Sequence, residues 1–316
     1  MSRVALLKGG RSLERNISLR SAAQVHDALE RLGHDVAAID VGPDLVEQLE
    51  AAQADVAFVA LHGRGGEDGT VQELLELVGI PYTASRPGAC IRCMDKVVAK
   101  HAMRDAGIPT PDFYAFNQTA FEELGAARAL PAIEERLAFP IVVKPAGQGS
   151  ALGIKFARTA ADVPNALVSA FSYDTKVLLE RFIDGRDLAV AVLEGPDGPE
   201  ALPVVEAIPD TDDFYDFEAR YVIGATRFVC PAELPAAVTA RAQELAIATW
   251  NTLGCSGFAR IDLMVAGDEL TVLEANAIPG LTDTSLLPLA AEAAGIGFDD
   301  FVARVLDLAV AHAPSA

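Results

Sequence analysis

The stretch from Gly257 to Leu286 constrains this chain most. Its first run, starting at Phe258, alternates with period 2: Ala259, Ile261, Leu263 and Val265 fall on one face of a strand, and Phe258, Arg260, Asp262 and Met264 on the other. A second run, Leu270 to Asn276, puts Glu274 and Asn276 on one face. Gly267-Asp268-Glu269 supplies a tight connection, so the two runs form an antiparallel hairpin. With Ala266 opposite Leu270, Asp262 faces Glu274 and Arg260 faces Asn276. A slip of one residue would split these side chains between faces.

Two carboxylates directly opposed across a hairpin repel each other. A hard divalent cation removes the repulsion, and the oxygens of Asp262, Glu274 and Asn276 are the ligand type Mg2+ prefers. Two solvated acids on an exposed face are the plainer reading. That reading explains poorly why Arg260, Phe258 and Met264 share the face, whereas a nucleotide with its metal suits a cation, carboxylates and apolar flanks together.

Upstream, residues 1 to about 90 alternate strand and helix. Val4–Leu7, Val36–Ile39, Asp55–Leu61 and Ile80–Thr83 read as strands, with helices from Ser18 to Leu32 and over Val71–Val78. Such alternation gives a parallel sheet whose ligands sit at the carboxyl ends of the strands. Two loops occupy that edge, Gly9 to Glu14 and His62 to Gly69. Glu14 there could serve the helix dipole or a ligand, and His62 could be structural or functional. Ser85–Ala89 marks a boundary. Met94–Ala106 reads as a helix, Pro109–Pro111 as a linker, and Phe121–Leu137 as a helix interrupted by Pro131. Lys144 ends a strand just before the glycine-rich loop Ala146–Gly153, and that coincidence favours phosphate binding over an ordinary hairpin loop. Lys176–Phe182 is a strand, Asp184–Asp187 a turn, and Leu188–Leu193 and Pro203–Ile208 are strands. Asp210–Arg220 is a long loop rich in aromatic residues, and a long loop inside a compact domain is more often functional than idle. Pro235–Leu253 and the segment from Phe298 to Ala309 read as helices.

The totals exclude several classes. A chain of 316 residues holds two or three domains. A net charge of −20 disfavours non-specific binding to nucleic acid or to an anionic membrane. No apolar run reaches the ~18 residues of a membrane span, and no signal-peptide pattern opens the chain, so a cytoplasmic location is expected. Cys90 and Cys93 form a lone C-x-x-C with no second pair, and Cys230 and Cys255 are isolated. Buried reduced thiols are the expectation for all four.

Seven short motifs occur in order: Gly9-Gly10-Arg11-Ser12-Leu13-Glu14 with Ser18; Leu61-His62-Gly63 to Gly69-Thr70; Met94-Asp95-Lys96; Val143-Lys144-Pro145 with Gly149-Ser150; Tyr215 to Tyr221; Phe258 to Asp262; and Leu273-Glu274-Ala275-Asn276 with Pro279-Gly280 and Ser285-Leu286. Together they resemble the D-alanine–D-alanine ligases of the ATP-grasp superfamily over essentially the full length. The resemblance implies an α/β chain with α+β lobes, a three-domain ATP-grasp fold. Its parts would be a Rossmann-like parallel-sheet domain over 1–92, a central lobe over 93–183, and a C-terminal lobe over 184–316 bearing the metal and substrate site. It implies ATP and Mg2+, with Mn2+ as a substitute, small-molecule substrates, a homodimer, and no nucleic-acid or membrane partner. Lys96 and Lys144 would contact phosphates, Glu180 and Ile183 the adenine, and Asp187 the ribose. Arg220, Met264 and Leu273 would complete the ATP site. Asp262, Glu274 and Asn276 would hold the metal, in agreement with the hairpin argument. Glu14, with His62 nearby, would take the ammonium of the first amino acid. Arg260, the Gly280 N–H, Ser285 and Leu286 would receive the second. Glu14, Ser150 and Tyr221 would form the hydrogen-bonded network that closes the site.

The implied activity is ligation of two D-alanines through an acyl phosphate, for peptidoglycan synthesis. The sequence departs from the family pattern at Ala151, where a serine is frequent, and at Arg220 and Arg181, where lysines are. It departs again at Asp187, in place of a glutamate, and Ala277, in place of a threonine. These departures leave room for a ligase acting on another D-amino acid pair in specialised metabolism. A non-catalytic ATP-binding module is the alternative from another class, and the intact set Arg260, Asp262, Glu274 and Asn276 counts against it. A dinucleotide oxidoreductase lacks its G-x-G-x-x-G fingerprint here.

Overall fold

In the computed structural model, which describes residues 1–209 and 226–312, the N-terminal strands form a parallel sheet. β1 (Arg3–Lys8), β2 (Asp35–Asp40) and β3 (Val56–Val59) lie in the order β2-β1-β3. Helices α1 (Arg15–Arg31) and α2 (Leu45–Ala52) make the crossovers, and α3 (Thr70–Val78) follows. Val4 to Leu7 and all of β3 are fully buried, as strands covered on both faces must be. Because β1 and β3 are neighbours, the loops leaving their carboxyl ends, 9–14 and 62–69, meet. The strand expected at Ile80–Thr83 shrinks to a single bridge between Ala57 and Tyr82. Pro81 has no N–H to extend a ladder.

The boundary expected at Ser85–Ala89 holds a helix instead, α4 (Pro87–Met94), with Pro87 in its first turn. The helix expected from Met94 starts later, as α5 (Lys96–Asp105). Asp95 separates the two, and its side chain accepts from the N–H groups of Val97 and Val98 at 3.0 and 3.1 Å. Beyond the Pro109–Pro111 link come β4 (Phe113–Asn117), α6 (Gln118–Glu122), α7 (Leu130–Leu137), β5 (Ile141–Pro145), β6 (Lys155–Ala157), α8 (Val163–Phe171) and β7 (Lys176–Arg181). The strands form an antiparallel sheet ordered β4-β7-β5-β6 with an apolar cluster of its own, in which Ile133, Ile141, Leu167 and Leu179 pack together. The single helix expected over Phe121–Leu137 is broken at Gly125, whose φ of +73° is left-handed. Pro131 falls harmlessly in the first turn of α7.

The largest sheet contains β8 (Arg186–Gly195), β9 (Gly198–Ala201), β10 (Val205–Pro209), β11 (Thr226–Val229), β12 (Phe258–Ala266) and β13 (Glu269–Asn276), in the order β11-β10-β8-β12-β13, with β9 paired to β8. Arg186 and Asp187, expected in a turn, belong to β8. Helices α9 (Ala236–Leu253), α10 (Leu286–Ala293) and α11 (Phe298–Ala311) pack on it. Its core is shared with the N-terminal sheet. One cluster joins Leu7 and Val59 to Ile261, Leu263 and Trp250, and another joins Leu6 and Phe58 to Phe258 and Phe301.

The β12–β13 hairpin corrects the expected register at its tip. Ala266 pairs with Glu269, not Leu270, around the two-residue turn Gly267-Asp268, with Gly267 at φ +60°. The register shifts between Asp262 and Leu263, and the pairs Asp262–Glu274 and Arg260–Asn276 form as expected. One extra residue on β13 makes this a β-bulge. Leu273 and Glu274, adjacent in sequence, therefore both line the same cavity. Among the described residues no helix is long and apolar enough to cross a membrane.

Candidate active site

A cavity of about 350 Å³ opens between the four-stranded sheet and the largest sheet. Lys144, Glu180 and Ile183 line it from one side, and Asp187, Asp262, Met264, Leu273, Glu274 and Leu286 from the other. All nine were singled out from the sequence. Lys96 lies in a smaller adjoining recess, with Gly149, Glu67 and Asn276. Glu274 lines both spaces and so joins them.

The cavity wall is charged but internally neutralised. Lys144 Nζ donates to Glu180 Oε1 at 2.6 Å. A second lysine, Lys100 on α5, lies 2.6 Å from Glu180 Oε2 as an ion contact and donates to Thr110 Oγ1 at 2.9 Å. Burial pushes the Glu180 carboxyl up, but Lys100 and Lys144 together outweigh it and hold it below its ordinary value. Sequence reasoning missed Lys100. Its only signal was the four-residue spacing from Lys96, which puts both on one helix face.

The acids of the hairpin are also paired. The Arg260 fork donates to both Asp262 oxygens, Nε to Oδ1 at 2.6 Å and Nη2 to Oδ2 at 2.8 Å. Asn276 Nδ2 donates to Asp262 Oδ2 at 3.1 Å. Lys96 Nζ sits 3.1 Å from Glu274 Oε2 and donates to the Gln148 carbonyl at 2.8 Å. The repulsion expected between Asp262 and Glu274 is thus relieved here by two side-chain cations. The three oxygen-bearing side chains stand side by side on adjacent strands, a donor set that fits a hard divalent ion.

Glu14 is buried where three segments converge. It sits at the N-cap position of α1, but its side chain makes no cap hydrogen bond. Ser150 Oγ donates to Glu14 Oε1, while Oε2 has no hydrogen-bond partner among the described residues. Gly63 and Gly149 leave room for it: a Cβ at Gly63 would collide with Oε2, and one at Gly149 would come within 2.9 Å of Oε1. Ser150 holds its position at a left-handed φ of +52°, a strained conformation for a residue with a side chain. His62 is buried beside this site. Its Nε2 meets Ser21 Oγ at 2.9 Å, and its Nδ1 meets Glu67 Oε1 at 3.1 Å and the Ile278 carbonyl at 3.2 Å. Ser21 Oγ also accepts from the Leu281 N–H at 3.1 Å, so α1 is tied to the segment after the hairpin.

Desolvation, with the Glu67 charge added, raises the Glu14 carboxyl to about 7. A carboxyl whose folded value exceeds its unfolded value stabilises the fold at low pH, and that stabilisation is lost as pH rises from about 4.5 through about 7. Glu14→Gln is therefore expected to stabilise the protein above pH 7 by about 2–3 kcal/mol. Thermal unfolding at pH 8 and at pH 4.5 checks this: the variant should melt higher at pH 8, and the gain should vanish at pH 4.5.

Gly280 and Ser285 are in contact. A Cβ at Gly280 would lie 2.8 Å from Ser285 Oγ, which accepts from the Thr282 N–H at 2.9 Å. Arg220 and Tyr221 lie outside the described residues, as does the aromatic loop before them. All four cysteines are free thiols. Cys90, Cys93 and Cys255 are buried, with the Sγ atoms of Cys93 and Cys255 3.6 Å apart.

The chain matches two family models, described as "D-ala D-ala ligase N-terminus" over residues 42–85 and "D-ala D-ala ligase C-terminus" over residues 102–307. It is 43% identical to the D-alanine–D-alanine ligase of Moorella thermoacetica, over 98% of this chain and 99% of that one. Among solved structures it is similar to the D-alanine–D-alanine ligase from Bacillus anthracis complexed with ATP, at 30% identity and a TM-score of 0.83, covering 98% of each chain. It is also similar to the VanG D-Ala:D-Ser ligase from Enterococcus faecalis, at 28% identity and a TM-score of 0.83, covering 98% of this chain and 99% of that one.

Proposed function

The chain belongs to the D-alanine–D-alanine ligase family, and from that membership we propose that it joins two D-alanines into D-alanyl-D-alanine, driven by ATP, for peptidoglycan synthesis in the cytoplasm. The observation that carries this reading is the continuity of the two spaces at Glu274, which runs from the Lys144–Glu180 wall of the large cavity to the recess beside Gly149 and Glu14. A nucleotide and a small ammonium-bearing acid can thus meet end to end.

In this reading the adenine faces Glu180 and Ile183, the ribose faces Asp187, and Met264 and Leu273 supply apolar contacts. Lys96, Lys144 and Arg220 take the phosphates. Asp262, Glu274 and Asn276 would hold Mg2+, or Mn2+ in its place, which when bound neutralises charge on the transferring phosphoryl group. Glu14, aided by His62, takes the ammonium of the first D-alanine. The carboxylate of that D-alanine attacks the terminal phosphorus of ATP, releasing ADP and leaving an acyl phosphate. The amine of the second D-alanine, seated near Ser285 and Leu286, attacks the acyl carbon. Arg260 and the Gly280 N–H stabilise the oxyanion, the carbon–oxygen bond to phosphate breaks, and phosphate departs. Ser150, bonded to Glu14 and joined in this reading by Tyr221, pins the glycine-rich loop over the site and keeps water from the acyl phosphate. The same reading divides the chain into domains at 1–92, 93–183 and 184–316, supported by the separate core of the four-stranded sheet, and assembles it as a homodimer.

The test is phosphate release from ATP-Mg2+ with D-alanine, L-alanine, D-serine, D-alanine plus D-lactate, or no amino acid, with product masses read alongside. D-serine is included because of the likeness to a D-Ala:D-Ser ligase. Release with D-alanine alone and the dipeptide mass is the expected result. Release only with another amino acid would move the function to a specialised ligase. ATP binding without any release would make the chain a binding module.

A further inference from the structure

Lys100 is completely buried and, unlike Lys144, has no part in the wall of the large cavity. Both lysines hold the same carboxylate, each at 2.6 Å from one Glu180 oxygen. One cation suffices to neutralise one buried carboxylate, so the second is available to another anion. The two differ in where they can go. The Lys144 side chain is 10% exposed and faces the cavity. Lys100 is fixed by Thr110 Oγ1 at 2.9 Å and by the Phe113 ring, whose centroid lies 5.9 Å from Nζ. Resting on the functional reading above, we propose that Lys100 is a positioning residue for ATP binding: as the permanent counter-ion of Glu180, it lets Lys144 leave its ion pair for the phosphates.

The physical reason lies in the cost of an unpaired buried charge. A carboxylate stripped of its partner in the interior is strongly unfavourable, or it takes up a proton. If Lys100 were absent, Lys144 would be the sole neutralising group for Glu180 and would be held there. Lys100 itself faces Glu180, Lys144 and, further off, Glu274. Burial pulls its ammonium down to about 8, against the pull of Glu180, so it stays charged at neutral pH. As pH rises through about 8 the wild-type protein should begin to lose the benefit.

The experiment is direct measurement of ATP-Mg2+ affinity, by calorimetry without amino acid, for wild type, Lys100→Met, Lys100→Arg and Thr110→Val, from pH 6 to 9. Lys100→Met is expected to weaken ATP binding about tenfold or more at pH 7.5. The deficit should shrink towards pH 9 as the buried Lys100 ammonium of the wild type loses its proton. Lys100→Arg should keep most of the affinity. Thr110→Val removes only the hydroxyl that fixes Lys100, so it should fold even if Lys100→Met does not, and it should weaken ATP binding about threefold, with the same dependence on pH. A Lys100→Met deficit that is the same at every pH, no deficit at all, or, where that variant does not fold, unchanged affinity in Thr110→Val would overturn the inference alone. A wild-type protein that binds no ATP would overturn the functional reading and this inference with it.

Discussion

Asp262→Asn is expected to lower kcat about a thousandfold, equivalent to ~4 kcal/mol of transition-state stabilisation. The geometry gives two reasons for so large a loss. Asp262 is one of two carboxylates in the oxygen cluster of the hairpin, and an amide is a weaker ligand for a hard divalent ion. Both of its oxygens also receive the Arg260 fork, and Oδ2 accepts from Asn276 as well. An amide nitrogen at that position would face a donor whichever way it turned, so Arg260 would lose its fixed orientation. The size and shape of the side chain are unchanged, and the flanking Ile261 and Leu263 stay in the core. The variant should therefore fold. The check is steady-state kinetics against Mg2+ concentration: the metal requirement should rise steeply, and wild type treated with chelator should fall to a comparable rate and recover on adding Mg2+.

Arg260→Met should lower kcat by a factor of about 100 to 1,000, the cost of one missing oxyanion donor. Unlike the change at Asp262, it should leave the Mg2+ requirement unchanged or lower, because the guanidinium that occupies both Asp262 oxygens is gone. Arg260→Lys keeps the charge but not the two-pronged geometry, and should fall between wild type and Arg260→Met. Since Arg260 and Asp262 act as a bonded pair, the double variant Asp262→Asn/Arg260→Met should be little worse than the weaker single one. Opposite responses to Mg2+ from two residues 2.6 Å apart separate metal holding from oxyanion stabilisation.

Much of this arrangement was legible in the sequence, for identifiable reasons. Period-2 alternation from Phe258 to Val265 and the apolar runs of β1 and β3 are local signals, and local signals survive without the fold. The pairing of Asp262 with Glu274 followed from the hairpin, although the tip register was wrong by one residue. A bulge adds one residue to one strand and leaves no periodic mark, so the register shift between Asp262 and Leu263 was not foreseen. Helix α4 was missed because Pro87 and Gly88 read as a break, when a proline suits a first helical turn. Lys100 was missed because a helical lysine is ordinarily solvated. Only the long-range approach of β7 to α5 makes it a buried counter-ion. The raised Glu14 carboxyl was equally invisible, since its burial needs the 9–14, 62–69 and 146–153 loops to converge from separate parts of the chain.

In the proposed mechanism a carboxylate oxygen of the first D-alanine becomes the bridging oxygen of an acyl phosphate. D-Alanine labelled with 18O in its carboxylate, turned over with ATP-Mg2+, tests it directly by mass analysis of the released phosphate. One 18O is expected in each phosphate and one retained in each dipeptide amide carbonyl. Unlabelled phosphate, with ATP consumed, would mean that water rather than D-alanine takes the phosphoryl group, and would contradict it.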